Sequence, residues 1–408
     1  MENIAVIGAG ASGLMAAVAA GRIVSGAGVS VYERNEKSGK KLLATGNGRC
    51  NISNAFAAPA FYHGENPNFV KNALTKFGAP KTLDLFLEMG LFCIEERGGR
   101  IFPRCKQSSA VLDALRGELA RLNVSVSHQR YVTGVFAEKT GGFTVKTSDG
   151  QTRRHSKVII TCGGAAAPST GSDGGGFKLL SALGHKIVPP APAICQLKTD
   201  MTRTKSLRGV KVNCVITAFD GDRSLGVKAE GDALFTNYGL SGSAVFDISR
   251  VIAKAARPTL VLDFFAEYPE EELTASLRYR RERFARIECV DFLTGAVNKN
   301  LGRAIMKSVV SSRLSLPASA LTDDDIRNAV ETLKRFPIHV IGHNGWENAQ
   351  TTAGGADTRD FDDATMQSRV TPGLYAAGEV LDVAGDCGGF NLQWAWSSGQ
   401  LAGMSAAE

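Results

Sequence analysis

The sequence predicts an α/β fold in which a parallel, dinucleotide-binding sheet of Rossmann-like type is interrupted by an inserted α+β domain. Three observations predict it. An apolar run, Ile4 to Ile7, enters Gly8-Ala9-Gly10-Ala11-Ser12-Gly13 and then a small-residue stretch, Leu14 to Gly21. A second apolar run, Val29 to Tyr32, ends on Glu33, twenty positions beyond Gly13. Prolines at 189, 190 and 192 then break the pattern, and glycine-rich turns between a short strand and a helix return only in the last seventy residues.

Each element follows from its residues. Ile4 to Ile7 is a short buried-strand pattern, the glycines make the turn, and Leu14 to Gly21 is a tightly packed helix. Val29 to Tyr32 closes a βαβ unit. From about Pro67 to Leu122 the spacing is helical, in Leu83, Leu85, Phe86 and Met89 and again in Val111, Leu112, Leu115 and Leu119. Alternation returns in Val124 to Ser127 and Phe143 to Thr147, and Lys157 to Thr161 is a buried strand running into Cys162-Gly163-Gly164. The insert mixes strand patterns (Val210 to Phe219, Leu260 to Phe264) with charged helices around Pro269 to Arg286 and Thr322 to Arg335. Thr322 caps the latter, and three aspartates fill its first turn. Pro337 to Ile341 resumes strand character. The division predicted is 1–188 for the first part of the dinucleotide-binding domain, 189–335 for the insert, as a substrate or cap domain, and 336–408 for the returning part.

Composition narrows the class. At about 100–200 residues per domain, 408 residues make two to three domains, and 44% hydrophobic residues fill a large core. Lys and Arg number 47 against 40 Asp and Glu, an excess too thinly spread to indicate nucleic-acid binding. The nearest cysteines, Cys93 and Cys105, are twelve positions apart, which disfavours a structural metal and a disulfide framework. No basic leader pattern and no apolar run of about 18–20 residues appears, so the expectation is no membrane span and a cytoplasmic, thiol-reducing location.

Gly8-x-Gly10-x-x-Gly13 is a weak signal alone. Between a strand and a helix, and answered by Glu33, it is a dinucleotide site. The glycines let the backbone approach a pyrophosphate at the helix N-terminus, where unpaired N–H groups and the helix dipole favour negative charge. Glu33 accepts hydrogen bonds from a ribose diol and repels a 2′-phosphate, so FAD or NAD fits and NADP does not. Thr45-Gly46-Asn47-Gly48-Arg49-Cys50-Asn51, preceded by Gly39-Lys40-Lys41, is rich in backbone and amide donors suited to an anionic or multi-acceptor ligand. By spacing alone it reads equally well as an ordinary turn with a solvated Arg49. Near the end of the chain, Thr371 to Glu379 is a turn, a short strand and a second Gly-acid pair, and Asp386-Cys387-Gly388-Gly389-Phe390-Asn391-Leu392-Gln393 opens the last helix.

These motifs, with the run from Cys162 to Pro168, Leu234-Phe235-Thr236 with Gly239-Leu240-Ser241-Gly242, and Gly378-Glu379-Val380-Leu381-Asp382, resemble the bacterial BaiN/RdsA-type NAD(P)/FAD-dependent oxidoreductases over essentially the whole chain. The resemblance implies an FAD-binding domain of the GR2 Rossmann type. It implies that Gly8, Gly10, Ala11, Ser12, Gly13 and Glu33 hold the ADP half of FAD, with Arg34 and Lys41 flanking it. Thr45, Gly46, Gly48, Arg49, Cys50 and Asn51 would lie along the flavin, and Gly163 beside the cofactor. Gly378, Glu379 and Asp382 would serve the ribityl or pyrophosphate region. Gly389, Asn391, Leu392 and Gln393 would bring helix N-terminal N–H groups to the flavin pyrimidine, where reduction places negative charge.

Candidate catalytic residues are Cys50 and Asn51, in that loop, and Tyr238. The last lies in Leu234 to Gly242, which reads either as an aromatic, hydrogen-bonding wall for a planar substrate or as a hairpin turn. The other cysteines read as core, Cys387 excepted, and His339 and His343 receive no role. Arg278, Arg280, Arg281, Arg283 and Arg286 read as a solvated helix face.

Four functions stay open. One is a reductase passing hydride from NAD(P)H, a transient co-substrate, through FAD to an unsaturated (C=C) organic acceptor. The others are an oxygen-dependent small-amine oxidase, a reductase of an RNA base (dihydrouridine formation in rRNA), and a non-catalytic flavin-binding protein. The first is favoured: no second GxGxxG supplies a nicotinamide domain, and no close cysteine pair suits a disulfide reductase. Residues 189–335 carry 22 basic against 18 acidic side chains, modest support for RNA. A small-molecule substrate is expected, and the sequence is silent on oligomeric state.

Overall fold

The computed structural model describes residues 3–24, 28–252 and 255–408. They form two compact units, Met1–Ala193 with Trp346–Glu408, and Ile194–Gly345.

The first unit is built on a five-stranded parallel sheet in the order Leu374–Ala376, Lys157–Ile160, Ile4–Ile7, Val29–Tyr32, Ser125–Ser127. Ile4 faces Lys157 on one side and Val29 on the other. Ile4, Ala5 and Val6 have no accessible surface, which is why this strand reads as an unbroken apolar run. The chain leaves it towards Val29–Tyr32 and later returns on its opposite side. Its carboxyl end is therefore the switch point where open α/β sheets form a binding crevice.

Helix Ala11–Ile23 packs against the C-terminal helix Phe390–Ala407. The small residues explain how. A Cβ at Gly399 would lie 2.5 Å from the Ser12 carbonyl oxygen, and one at Gly403 2.2 Å from that of Ala16. Both pairs are four residues apart, so a glycine stripe on one helix meets bare backbone on the other. Trp394 Nε1 donates to the Gly378 carbonyl at 3.1 Å and Trp396 Nε1 to that of Ile52 at 2.9 Å, fastening this helix to the loops beside the crevice.

Two local readings are corrected. The stretch expected to be helical from Pro67 to Leu122 holds helices Val70–Lys76, Ala79–Glu88 and Ser108–Arg121, but a hairpin, Cys93–Glu96 with Arg100–Pro103, stands between them. Gly98 and Gly99, at φ 78° and 72°, turn it, and only their pairing signalled it in a background of helical spacing. The prolines at 189, 190 and 192 lie within a strand, Ile187–Ala193, paired with Thr351–Ala356. Its register shifts between Val188 and Ala191, and this bulge takes Pro189 and Pro190, which have no N–H to give, out of the ladder.

The second unit is a closed antiparallel barrel: Leu197–Thr199, Gly239–Ser241, Arg223–Phe235, Lys211–Asp220, Pro258–Asp263 and Phe336–His343. The boundaries expected at 188/189 and 335/336 therefore move to 193/194 and 345/346. Phe336–His343 looked like the start of the returning domain because its buried Phe336, Ile338 and Val340 alternate as they would in any half-buried strand; instead it closes the barrel against Leu197–Thr199.

Several charges on the helices of this unit are paired. Thr322 and Asp325 form a capping box on Asp323–Lys334. The arginine-rich helix Glu270–Arg283 is less solvated than its sequence suggests. Arg278 and Arg281 pair with Asp323 at 3.2 and 2.9 Å, and Arg280 donates to the Phe292 carbonyl. Among the described residues no helix is long and apolar enough to cross a membrane.

Candidate functional site

The crevice is built at the end of the Ile4–Ile7 strand. A Cβ at Gly8 would lie 2.7 Å from the Thr161 carbonyl oxygen, and one at Gly13 only 1.8 Å from that of Gly8. These two glycines close the turn onto itself. Gly10 does the opposite, with no protein atom within 4 Å of where its Cβ would stand. It is the N-cap of Ala11–Ile23 and brings no side-chain oxygen, so the amides of Ala11, Ser12 and Gly13 have no intrahelical partner.

Glu33 is almost fully buried beside it. Its Oε2 accepts from the Ala9 amide at 2.9 Å, and its Oε1 from the backbone and side-chain nitrogens of Asn35, both at 2.8 Å. A carboxylate offers about four lone pairs, so one on Oε2 remains for a ligand. Arg34 stacks over Tyr131 at 4.5 Å and pairs with Asp173.

A second polar line runs across the sheet. Lys41 Nζ donates to Glu379 Oε2 at 2.7 Å, and Glu379 Oε1 accepts from the Thr352 amide and hydroxyl at 3.0 and 2.8 Å. Thr352 Oγ1 in turn accepts from the amides of Ala165 and Ala166. Gly164 allows this approach: a Cβ there would stand 2.2 Å from Thr352 Oγ1 and 2.7 Å from Glu379 Oε1, while one at Gly163, at φ 73°, would meet Ser172 Oγ at 2.7 Å and one at Gly378, at φ 78°, Ser12 Oγ at 2.4 Å. The sequence offered no signal for Thr352, which is an ordinary threonine in a strand.

In the 45–51 loop Gly46, Asn47, Gly48 and Cys50 all have positive φ, between 55° and 82°. A side-chain-bearing residue held there costs about 1–2 kcal/mol, so the loop is a strained shape held by its surroundings. Thr45 Oγ1 donates to the Leu42 carbonyl, and Arg49 lies over the Phe102 ring at 4.5 Å rather than free in solvent. Nothing lies within 4 Å of a Cβ at Gly48. Asn51 Oδ1 is closed off from solvent and has no hydrogen-bond partner. Cys50 has no exposed surface, and burial pushes its thiol up to about 12. A catalytic thiolate is therefore not what this position provides.

Open space at Gly10, three helix N-terminal amides, a spare lone pair on Glu33 and an unpartnered acceptor on Asn51 fit a pyrophosphate, a ribose diol and a ring or hydroxyl donor on one extended ligand. FAD has all three. Residues 2–405 match the HI0933-like protein Rossmann domain.

The chain belongs to this family.

Over the full length of both chains it is 39% identical to the 3-dehydro-bile acid delta(4,6)-reductase of Clostridium scindens. It is 32% identical to the ribosomal RNA dihydrouridine synthase of Escherichia coli, across 96% of this chain and 95% of that one. Among solved structures, a quinol-fumarate reductase with menaquinol molecules shares the fold at TM-score 0.50 and 17% identity, over 99% of this chain and 70% of that one.

In the C-terminal segment of this HI0933-like chain, Gln393 departs from the expectation. Gln393, expected at the flavin, is fully buried: its Oε1 accepts from Ser53 Oγ at 2.6 Å, and its Nε2 donates to Thr82, Ser397 and the Phe77 carbonyl. Its backbone N–H is also spent, on the Gly389 carbonyl. It is a packing hub and leaves no donor for a ligand. Asp382 is buried and turned to the Glu65 amide at 2.8 Å, so it buckles a loop. Asn391 clamps the chain before it, exchanging hydrogen bonds with Gly385 at 2.8 and 2.9 Å, while Leu392 is half-buried against the core. Gly389, at φ 105°, caps the helix, where a Cβ would meet the Ser53 carbonyl oxygen at 2.3 Å.

Tyr238 lies in the second unit, at a hairpin between Arg223–Phe235 and Gly239–Ser241 whose turn is held by Thr236 Oγ1 accepting from the amides of Tyr238 and Gly239. The turn reading of that segment accounts for its geometry. Sequence reasoning also passed over His63, which meets Asp386 at 2.6 Å although 323 residues separate them.

Proposed function

We propose that this protein is an FAD-dependent reductase of carbon–carbon double bonds conjugated to a carbonyl, with NAD(P)H as transient donor. One observation carries the reading: a full-length match to a delta(4,6)-reductase falls on a chain whose dinucleotide crevice is open at Gly10 and closed at Gly8 and Gly13. The names of both relatives point to one functional group. A 3-dehydro bile acid with a delta(4) bond is an enone, and the bond that distinguishes uridine from dihydrouridine is conjugated to the base's C4 carbonyl. An amine oxidase has no such support.

In this reading the amides of Ala11, Ser12 and Gly13 hold the pyrophosphate, Glu33 the adenosine ribose, and the Lys41–Glu379 pair the ribityl side. The 45–51 loop and the N-terminus of Phe390–Ala407 frame the flavin, where the helix dipole favours the negative charge of reduction. Bound FAD supplies the hydride. The chain's own residues bind, orient and keep water from the reacting bond.

A second reading, an RNA base as substrate, rests on four cations. Lys198, Arg203, Lys205 and Arg208 are exposed in the second unit, and among the described residues none of them makes an ion pair, whereas Arg303, Arg313 and Lys334 of the same unit are paired with Asp291, Asp325 and Asp263. Unpaired cations of this kind suit phosphates.

The test is anaerobic. FAD-loaded protein is given NADH or NADPH and then either a 3-oxo-delta(4,6) bile acid or a uridine-containing rRNA fragment, and the products are weighed by mass spectrometry. The bile acid should gain two mass units per reduced bond. Recovery of unchanged bile acid with reduced RNA would move the assignment to the second reading, and recovery of both unchanged would contradict it.

A further inference from the structure

We propose that His63 and Asp386 form the acid pair of this reduction, His63 as the catalytic proton donor and Asp386 as the residue that positions it. The inference rests on the reductase reading above and deepens it.

His63 is unlike the other histidines. His155 is buried with both ring nitrogens occupied, by Tyr32 Oη and Asn3 Oδ1, each at 2.9 Å. His185 is likewise buried and satisfied by Ser368 Oγ and the Leu180 carbonyl. Those are structural residues. Among the described residues His63 is the one histidine hydrogen-bonded to a carboxylate: its Nε2 stands 2.6 Å from Asp386 Oδ1, and its other ring nitrogen has no partner. Both side chains keep about a quarter of their surface open, 26% and 27%. An imidazole anchored through one nitrogen by a carboxylate and free at the other is oriented for proton transfer.

The pair is also held rigidly, and in the right neighbourhood. His63 belongs to Tyr62–His63, which pairs with Ala384–Gly385 so that His63 faces Ala384. Asn391 Nδ2 donates to the carbonyl of Asp386 at 3.3 Å, and Tyr62 Oη to that of Phe390 at 3.0 Å. Phe61 stacks on Phe390 at 4.7 Å, and Asn54 Nδ2 donates to the Gly388 carbonyl at 2.9 Å. These tethers join the pair to the ring of loops that holds Asn51 and Gly389, the end of the crevice assigned above to the flavin. Such support keeps a reacting group within the narrow geometry catalysis needs.

The chemistry asks for this group. When a hydride adds to the carbon β to a carbonyl, the π electrons of the C=C bond move towards the α carbon and the carbonyl becomes an enolate. The α carbon then takes the proton from the free N–H of His63, completing one hydride and one proton per bond. The imidazole, left neutral, stays fixed by Asp386 and regains a proton from water.

The test separates proton delivery from electron transfer. Wild type, His63→Gln and Asp386→Asn, each FAD-loaded, are reduced with dithionite without oxygen and mixed with a 3-oxo-delta(4,6) bile acid or with ferricyanide, which takes electrons and needs no proton from the protein. His63→Gln should slow reoxidation by the enone on the order of a hundredfold or more, and Asp386→Asn by about tenfold, with ferricyanide rates and FAD content unchanged. In the wild type, carbethoxylation of His63 followed by mass spectrometry should fall when the saturated product is present, a readout independent of turnover and of whether either variant folds. Enone reoxidation of His63→Gln at the wild-type rate, or His63 labelled equally with and without product, overturns the acid pair. A wild-type enzyme that ferricyanide reoxidises and the enone does not overturns the reductase reading beneath it.

Discussion

At Gly13 against Gly8, and where the first helix crosses the C-terminal helix, glycine lets two backbones touch; at Gly10, and at Gly48 in the 45–51 loop, glycine leaves a gap. The distances separate the two uses. A Cβ would sit 1.8 Å from protein at Gly13, 2.5 Å at Gly399 and 2.2 Å at Gly403, yet nothing stands within 4 Å at Gly10 or Gly48. A residue type with one conformational advantage thus serves the fold in one region and a ligand in the other, and substitution by alanine should tell them apart.

The largest effect belongs to the packed set. Gly13→Ala drives a methyl into the Gly8 carbonyl, and the helix must move. Its urea midpoint should report a loss at or beyond the upper end of the ~1–3 kcal/mol usual for overpacking, with no folded protein as the extreme. A wild-type midpoint would dissolve the distinction drawn here.

Glu33 belongs to both regions, since it ties the Ala9 turn and faces the gap. Glu33→Ala should weaken FAD binding by about ten- to a hundredfold, the ~1.5–3 kcal/mol of a charge-assisted hydrogen bond. Equilibrium dialysis against free FAD measures it, and wild-type affinity would remove Glu33 from the ligand side.

Cys50 sharpens the comparison because it sits in the open loop but is packed. With its thiol held near 12 in the native state, it stays protonated where an unfolded thiol ionises. Above about pH 9 the unfolded state therefore binds fewer protons, and stability should fall as pH rises from 9 towards 12. Cys50→Ala should flatten that fall. In the native protein at pH 8.5, iodoacetamide should label the exposed Cys105 and spare Cys50; rapid labelling of Cys50 would place it with the reactive groups instead.

The smallest effect is expected from Tyr238→Ala, in the second unit. FAD content measured from the flavin absorbance should match the wild type, and loss of flavin would tie the hairpin to the cofactor.

These residues also show what the sequence carried. The βαβ unit was legible because its signals are local: an apolar run, a glycine turn and Glu33 at fixed spacing. The capped helix Asp323–Lys334 was legible for the same reason, through Thr322 and Asp325. The rest depended on partners far away in the chain. Gln393 looks like a helix-terminal donor until Ser53 and Thr82 are brought to it, Thr352 gains its role only when Glu379 arrives, and the strand Phe336–His343 reads the same in either unit until Leu197–Thr199 closes on it. Gly10 and Gly13 are indistinguishable as letters, and only the atoms in front of each separate gap from contact.

The claim that the gap at Gly10 is the cofactor's place is tested most directly by titrating FAD into deflavinated wild type and deflavinated Gly10→Ala while recording the melting temperature of each without ligand. Gly10 has extended backbone and open space before it, so its alanine variant should melt within about 2 °C of the wild type. Its affinity for FAD should nonetheless drop tenfold or more, because the methyl occupies the approach of the pyrophosphate. Wild-type affinity in Gly10→Ala would contradict the account.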